Sequence, residues 1–226
     1  IADYQAIADR EGAGIRLAPW DRQFYAEKLR RQRFGLDGDA VKAHLPLEAV
    51  LQAMFWAAGR VHGLAFKELA DAPLIHPSVQ VYEVSRGEEP VGVLYFDLFN
   101  RPGKAHGSYQ MQYREAENFR GRVLPIAAVY STFPPPPQGQ PVLLPWEYAN
   151  VFFHEFGHAL HMLHCTSAYR SLGSVHVAWD FVELPSQIME NWTWERAGVD
   201  LFARHHETGE PIPEVLFGKM IAARRF

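Results

Sequence analysis

The stretch from His154 to His164 reads H-E-F-G-H-A-L-H-M-L-H. Four imidazoles and one carboxylate stand there among mostly apolar residues. Once water is removed, each imidazole needs a hydrogen-bond partner or a metal. His154 and His158 are four residues apart, which on a helix puts them on one face, one turn apart. Glu155 follows the first of them and leans over the same point from the side. H-E-x-x-H is a zinc-hydrolase pattern: two imidazole ligands, plus a carboxylate that activates a zinc-bound water. The competing reading is a buried helix whose histidines are satisfied by neighbouring carbonyls. Gly157 speaks against it. A glycine in mid-helix costs about 1 kcal/mol relative to alanine, and here it would let another backbone approach beside the metal.

The third ligand decides the subclass. If His164 filled that place, the spacing from His154 would match H-E-x-x-H-x-x-G-x-x-H, which needs a glycine to turn the chain back where His161 stands here. Ala159-Leu-His-Met-Leu favours continued helix instead, and an ideal helix carries His164 about 15 Å along the axis from His154. One ion cannot span that. The better candidate lies in W-D-F-V-E-L-P-S-Q-I-M-E-N-W, Trp179 to Trp192. Glu183 follows His158 after a loop (Thr166 to Val177), a gap long enough for helix, reversal and return. A second, antiparallel helix would then present its carboxylate to the metal. Asp180 and Glu183 also resemble a helix N-cap and its capping partner, although Pro185 would then fall past the first turn. Glu190, roughly on the Glu183 face, together with Gln187 and Asp180, is a candidate for orienting the histidines by hydrogen bonds.

Other elements must hold these residues in place. Helical spacing is read over residues 2–11 and 19–34, where Pro19 suits a first turn. A further helical zone runs from Leu47 to Leu69, with Gly59 and Gly63 as interruptions. The period then changes. Val79 to Val84 alternates, Arg86-Gly-Glu-Glu-Pro is turn chemistry, and Val91 to Phe99 is rich in β-branched and aromatic residues, which predicts a hairpin. Val123 to Phe133 reads as a third strand, ended by the tetraproline Pro134–Pro137. Trp146 to Cys165 and Pro185 to Arg196 are again helical.

Composition narrows the classes. The chain of 226 residues is 48% hydrophobic and 21% charged, which is that of an ordinary globular protein. A net charge of −4 gives no reason to expect nucleic acid. No apolar run reaches the roughly 18 residues of a membrane span, so no membrane partner is expected. Cys165 is the single cysteine, so there is no internal disulfide; a reducing compartment fits, and the cytoplasm is the expected location. Beside His164 on a helix, the thiol points about 100° away from that ring, so it reads as buried and without catalytic role.

Taken together, H-E-F-G-H-A-L-H and F-V-E-L-P-S-Q-I-M-E-N-W resemble the thimet oligopeptidase / oligopeptidase A family of zinc metallopeptidases. A-P-W-D-R-Q-F-Y-A-E-K-L-R (Ala18 to Arg30) and G-V-L-Y-F-D-L-F-N-R-P-G-K (Gly92 to Lys104) extend the likeness upstream. The resemblance implies one zinc per chain, held by His154, His158 and Glu183, with Glu155 as general base. It implies a mainly α fold with a small β-sheet beside the metal, the zincin-like (gluzincin) helical catalytic region. It implies short unfolded peptides as substrates, admitted to a deep channel. In that family the sheet borders the channel, so a strand edge from Val91–Phe99 or Val123–Phe133 is expected within about 10 Å of the zinc, antiparallel to bound peptide.

Two departures stand out. The loop before Glu183 reads Ser171-Leu-Gly-Ser-Val-His-Val, with His176 where a smaller polar residue is common. No tyrosine follows Tyr169, whereas the family has a later Tyr/Gly-rich segment that stabilises the tetrahedral intermediate. Residues 1–226 are therefore expected to be part of a single catalytic domain, without the helical region before them and that segment after them. One such donor is commonly worth about 2.7–4 kcal/mol, so a zinc-holding but slow or silent piece is one alternative. A dipeptidyl carboxypeptidase of the same family is another. A purely structural zinc protein fits less well, because structural sites are usually closed by four Cys or His ligands.

Overall fold

The computed structural model describes residues 2–136 and 138–224; Pro137 of the tetraproline lies outside them. In chain order the elements are α1 (Ala2–Arg10), α2 (Arg22–Phe34), α3 (Gly38–Lys42), α4 (Leu47–His62), β1 (Leu64–Glu68), β2 (Gln80–Arg86), β3 (Glu89–Phe99), β4 (Tyr109–Arg114), β5 (Ile126–Phe133), α5 (Trp146–Leu163), α6 (Trp179–Val182), α7 (Leu184–Glu190), α8 (Arg196–Phe202) and α9 (Glu214–Ala223). Helices dominate and the strands form one five-stranded sheet in the order β1-β2-β3-β5-β4. All neighbours are antiparallel except β3 and β5, which run parallel from Val93↔Ile126 to Phe99↔Phe133.

The sheet has one apolar face built by alternation. Leu94, Phe96 and Leu98 of β3 and Ala127, Val129 and Phe133 of β5 are all buried. The apolar stripes of α4 and α5 share their core cluster: Val50, Leu51 and Met54 from one helix, Phe152, Phe156 and Leu160 from the other. Phe96 meets Phe152 edge-on at 5.7 Å, and Phe55 of α4 bridges to Phe156 at 6.3 Å. Helix α5 is therefore held along its length by the sheet, which fixes where its histidines point.

Several expectations need correction. Helix α4 does not reach Leu69. Gly59 stays helical, while Gly63 adopts the left-handed conformation (φ 69°) and ends the helix at His62, as a glycine just past a helix does. Leu64 to Glu68 then pair with β2 from Leu64↔Arg86 to Glu68↔Tyr82, because sheet pairing overrides local helix preference. The expected hairpin is β2–β3 and the expected third strand is β5. Strand β4 was not visible in the sequence, and neither were α3 and α9. No continuous helix runs from Pro185 to Arg196: α7 stops at Glu190, and a 3₁₀ turn at Asn191–Thr193 precedes α8. Nor is Asp180 an N-cap. Ala178 holds that place without a side-chain hydrogen bond. The chain breaks at Glu183 and α7 starts afresh, so Pro185 falls in a first turn, where its missing N–H costs nothing.

Candidate active site and metal centre

Helix α5 begins after Pro145, whose extended conformation (φ −56°, ψ 149°) precedes eighteen helical residues. Glu147 in its first turn complements the positive end of the helix. His154 and His158 lie one turn apart on it, rings 4.9 Å apart at 81°. What brings a third donor to them is a close crossing of α7 over Gly157. A Cβ at that position would lie 2.6 Å from the Pro185 carbonyl oxygen and 2.6 Å from Ser186 Cα. Only a glycine lets the two backbones touch, and the sequence reading of Gly157 is met.

The crossing sets Glu183 Oε2 3.1 Å from His154 Nε2 and 3.1 Å from His158 Nε2. All three donor atoms lie within 4.8 Å of one another. A tetrahedral zinc with bonds of about 2.0–2.1 Å needs donors about 3.3 Å apart, and both Glu183–histidine distances lie within a few tenths of an ångström of that. Two imidazoles and one carboxylate match the donor chemistry of a catalytic zinc, which keeps a further position open. The three side chains are partly exposed, Glu183 the most at 42%, so water can reach that side.

Partners prepare each donor. Glu190 Oε1 lies 2.7 Å from His154 Nδ1. A carboxylate only accepts, so Nδ1 carries the proton and Nε2 keeps its lone pair for a metal. Glu190 is held in turn: Asn150 Nδ2 donates to its Oε2 at 3.0 Å, and the Thr193 hydroxyl donates to Asn150 Oδ1 at 2.6 Å. Ser186 donates its hydroxyl proton toward Glu183 Oε2 at 2.8 Å. Burial pushes the Glu183 carboxyl up, but the Ser186 hydrogen bond and the adjacent His158 and His154 outweigh it and keep it below the usual value. Burial lowers the pKa of His158, with the Glu183 charge opposing, which favours the neutral ring.

Glu155 stands apart from the three donors. It is 8% exposed, and burial raises its carboxyl pKa. His154 opposes the rise, the Glu183 charge adds to it, and a hydrogen bond from the backbone of Gln110 in β4 opposes it. Glu155 thus lies between α5 and the sheet edge, its carboxyl held above its usual value.

The structure brings together His154, His158, Glu183, Glu155 and Glu190. It does not bring Asp180 or Gln187 to the histidines: both are exposed, and among the described residues neither side chain makes a hydrogen bond to them. The break at Glu183 turns Asp180 outward, and Ser186, one residue before Gln187, takes the inward place. His164 caps the end of α5 with Nδ1 2.8 Å from the Leu160 oxygen, outside the cluster of His154, His158 and Glu183. His161 faces Phe181 at 6.1 Å. Asn150, Ser186 and Thr193 escaped the sequence reading. Asn150 is four residues before His154, a spacing that could have marked it.

With this geometry in view, comparison places the chain. Residues 1–226 match peptidase family M3, and the chain belongs to that family, the thimet oligopeptidase and oligopeptidase A group. It is 35% identical over 228 residues to the dipeptidyl carboxypeptidase of Escherichia coli K12, covering 100% of this chain and 33% of that protein. To oligopeptidase A of the same organism it is 34% identical over 232 residues, covering 100% of this chain and 34% of that one. Saccharolysin of Saccharomyces cerevisiae is 32% identical over 235 residues, covering 95% of this chain and 32% of its own length. The chain thus spans about a third of the length of these relatives.

Proposed function

We propose that residues 1–226 form part of a single zincin-like (gluzincin) catalytic domain that hydrolyses peptide bonds in short, unfolded peptides in the cytoplasm. The observation that carries the reading is the convergence of His154 Nε2, His158 Nε2 and Glu183 Oε2, with buried Glu155 beside them in a chain of family M3. Those three residues would hold one zinc. When bound, the ion supplies Lewis acidity toward a water and the scissile carbonyl.

The chain's own residues do the rest. Glu155, with its raised pKa, accepts a proton from the attacking water and passes it to the departing amine nitrogen. The hydroxyl ends on the acyl carbon, so one water is consumed and no covalent enzyme intermediate forms. Glu190, braced by Asn150 and Thr193, keeps His154 in the ligating tautomer. Strand β4 supplies the edge for substrate. Among the described residues it pairs only with β5, and it reaches Glu155 through Gln110, so an extended peptide added to its free side would lie along the site. The strands expected to do this from the sequence, β3 and β5, are interior to the sheet. Backbone pairing reads few side chains, which favours unfolded substrates of varied sequence.

The test is Glu155→Gln. The variant is expected to retain its zinc, measured by mass spectrometry of the metal, while hydrolysis of a fluorogenic peptide is abolished. Loss of zinc would show that Glu155 holds the ion. Product masses decide the cutting mode: internal cleavage is expected, and release of C-terminal dipeptides alone would make the protein a dipeptidyl carboxypeptidase.

A further inference from the structure

We propose that a cavity of about 560 Å³ between α2, α3, α5 and α9 binds a small aromatic carboxylate and connects to the metal centre through Asn150. The volume lies within the roughly 300–1,000 Å³ of small-molecule sites. Two contacts tie the frame together. Arg30 of α2 donates to Glu147 of α5 at 2.9 Å, and Lys219 of α9 donates to the Gly35 oxygen at the end of α2, also at 2.9 Å.

The walls are apolar and partly aromatic, with Leu36, Val41, Trp146, Trp194 and Met220 among them. The Trp146 and Trp194 rings lie 5.4 Å apart, and the Arg224 guanidinium stands over Trp194 at 4.7 Å. Such walls favour a flat apolar body, because aromatic rings bury large areas and pair at defined angles. Trp146 adds a sign of its own. It is 7% exposed, and its indole N–H has no acceptor among the described residues. A buried donor left unpaired is costly, and a carboxylate oxygen only accepts.

Charge at the mouth selects an anion. Arg30 is occupied by Glu27 and Glu147, and Arg31 by Asp37. Lys42 and Arg224 also line the cavity, and among the described residues neither meets a carboxylate. Asp39 is the lining carboxylate that meets no cation. Two unpaired cations against one unpaired carboxylate leave the mouth positive, which attracts a negative ligand.

Asn150 belongs to the same lining. Its amide donates to Glu190 Oε2, and Glu190 Oε1 meets His154 Nδ1. A ligand pressing on Asn150 therefore acts two hydrogen bonds away from a residue of the metal centre. This link rests on the zinc reading of that centre; binding in the cavity does not.

The experiment is a calorimetric titration with 4-phenylbutyrate, followed also by the ¹³C-methyl signal of Met220, assigned by its loss in Met220→Leu. The acid should bind and shift that signal, and neutral 4-phenylbutanol should bind about threefold more weakly or worse. N-acetylphenylalanine, standing for the C-terminus of a peptide, is titrated alongside; binding of either acid supports the site, and the tighter one names its source. Lys42→Glu with Arg224→Glu, both at the mouth, should remove the preference for acid over alcohol. Ala223→Phe should block both, with circular dichroism to confirm folding. Equal binding of acid and alcohol by the parent would overturn the proposal. So would undiminished acid binding in the charge-reversed variant, the result expected of an acid held by the metal instead. Chelator competition then measures zinc affinity with and without saturating 4-phenylbutyrate. A change of at least about fivefold is expected, and no change would refute the connection through Asn150. Failure to bind any zinc would count against the active-site reading alone, since the cavity titration does not depend on it.

Discussion

Gly157→Ala isolates the crossing that assembles the site. The added methyl would start 2.6 Å from the Pro185 oxygen and 2.6 Å from Ser186 Cα, and 3.0 Å from Ser186 N. Carbon atoms rest about 3.5–4.0 Å apart, so α7 must withdraw from α5 by about 1 Å. The stability cost is modest. Overpacking costs roughly 1–3 kcal/mol, and alanine returns about 1 kcal/mol of helix preference over glycine. The net loss is about 0–2 kcal/mol, a fall in melting temperature of up to about 8 °C for a chain of this size. Metal binding should suffer far more. Ligand distances tolerate about 0.2 Å, and Glu183 rides on the segment that moves. Losing a hydrogen-bond partner of a ligand already costs 10–100-fold in affinity, so displacing a ligand should cost at least about 100-fold. Competition against a chelator of known zinc affinity measures this, with circular dichroism to follow unfolding. If the alanine variant bound zinc within about threefold of the parent, the crossing at Gly157 would not be what positions Glu183.

Three further outcomes are expected. Glu190→Gln should weaken zinc binding by about 10–100-fold with little change in the helix content, and an unchanged affinity would remove Glu190 from the site. Asp97, buried at the end of β3, takes two 2.6 Å bonds from Arg101 and one of 2.9 Å from Lys104; Asp97→Asn should cost about 3–5 kcal/mol in urea unfolding at neutral pH. Burial pushes the Asp97 carboxyl up, but the Arg101 and Lys104 hydrogen bonds bring it below its usual value. Its stabilisation is therefore complete above the unfolded carboxyl value of about 3.9 and lost as pH falls through the lower folded value, so the gap between parent and variant should shrink in acid; a constant gap would contradict this. Methylating substrate amides near the scissile bond should weaken binding more than changing the corresponding side chains, and the reverse result would exclude pairing with β4.

The histidine pair was legible because its spacing is a local property: residues four apart on a helix face the same way wherever the helix lies. Gly157 was legible for a similar reason, since a glycine in a strongly helical run calls for something at its surface. Glu183 could be inferred because the loop before it allows a return, although its distance from the rings could not. Tertiary structure decided everything that depends on which surfaces meet. Leu64 to Glu68 left the helix because β2 offered a ladder. Strand β4, mixed in character and exposed at the edge, carried no strong alternation, yet it is the element beside Glu155. Ser186, Asn150 and Thr193 became partners of Glu183 and Glu190 only when α7 settled on α5, while Asp180 and Gln187, equally plausible by type and spacing, were turned to solvent by the break at Glu183. Residue chemistry and helical period are encoded within a few positions, whereas hydrogen-bond partners are chosen by the packing of distant segments, and no local pattern records that choice.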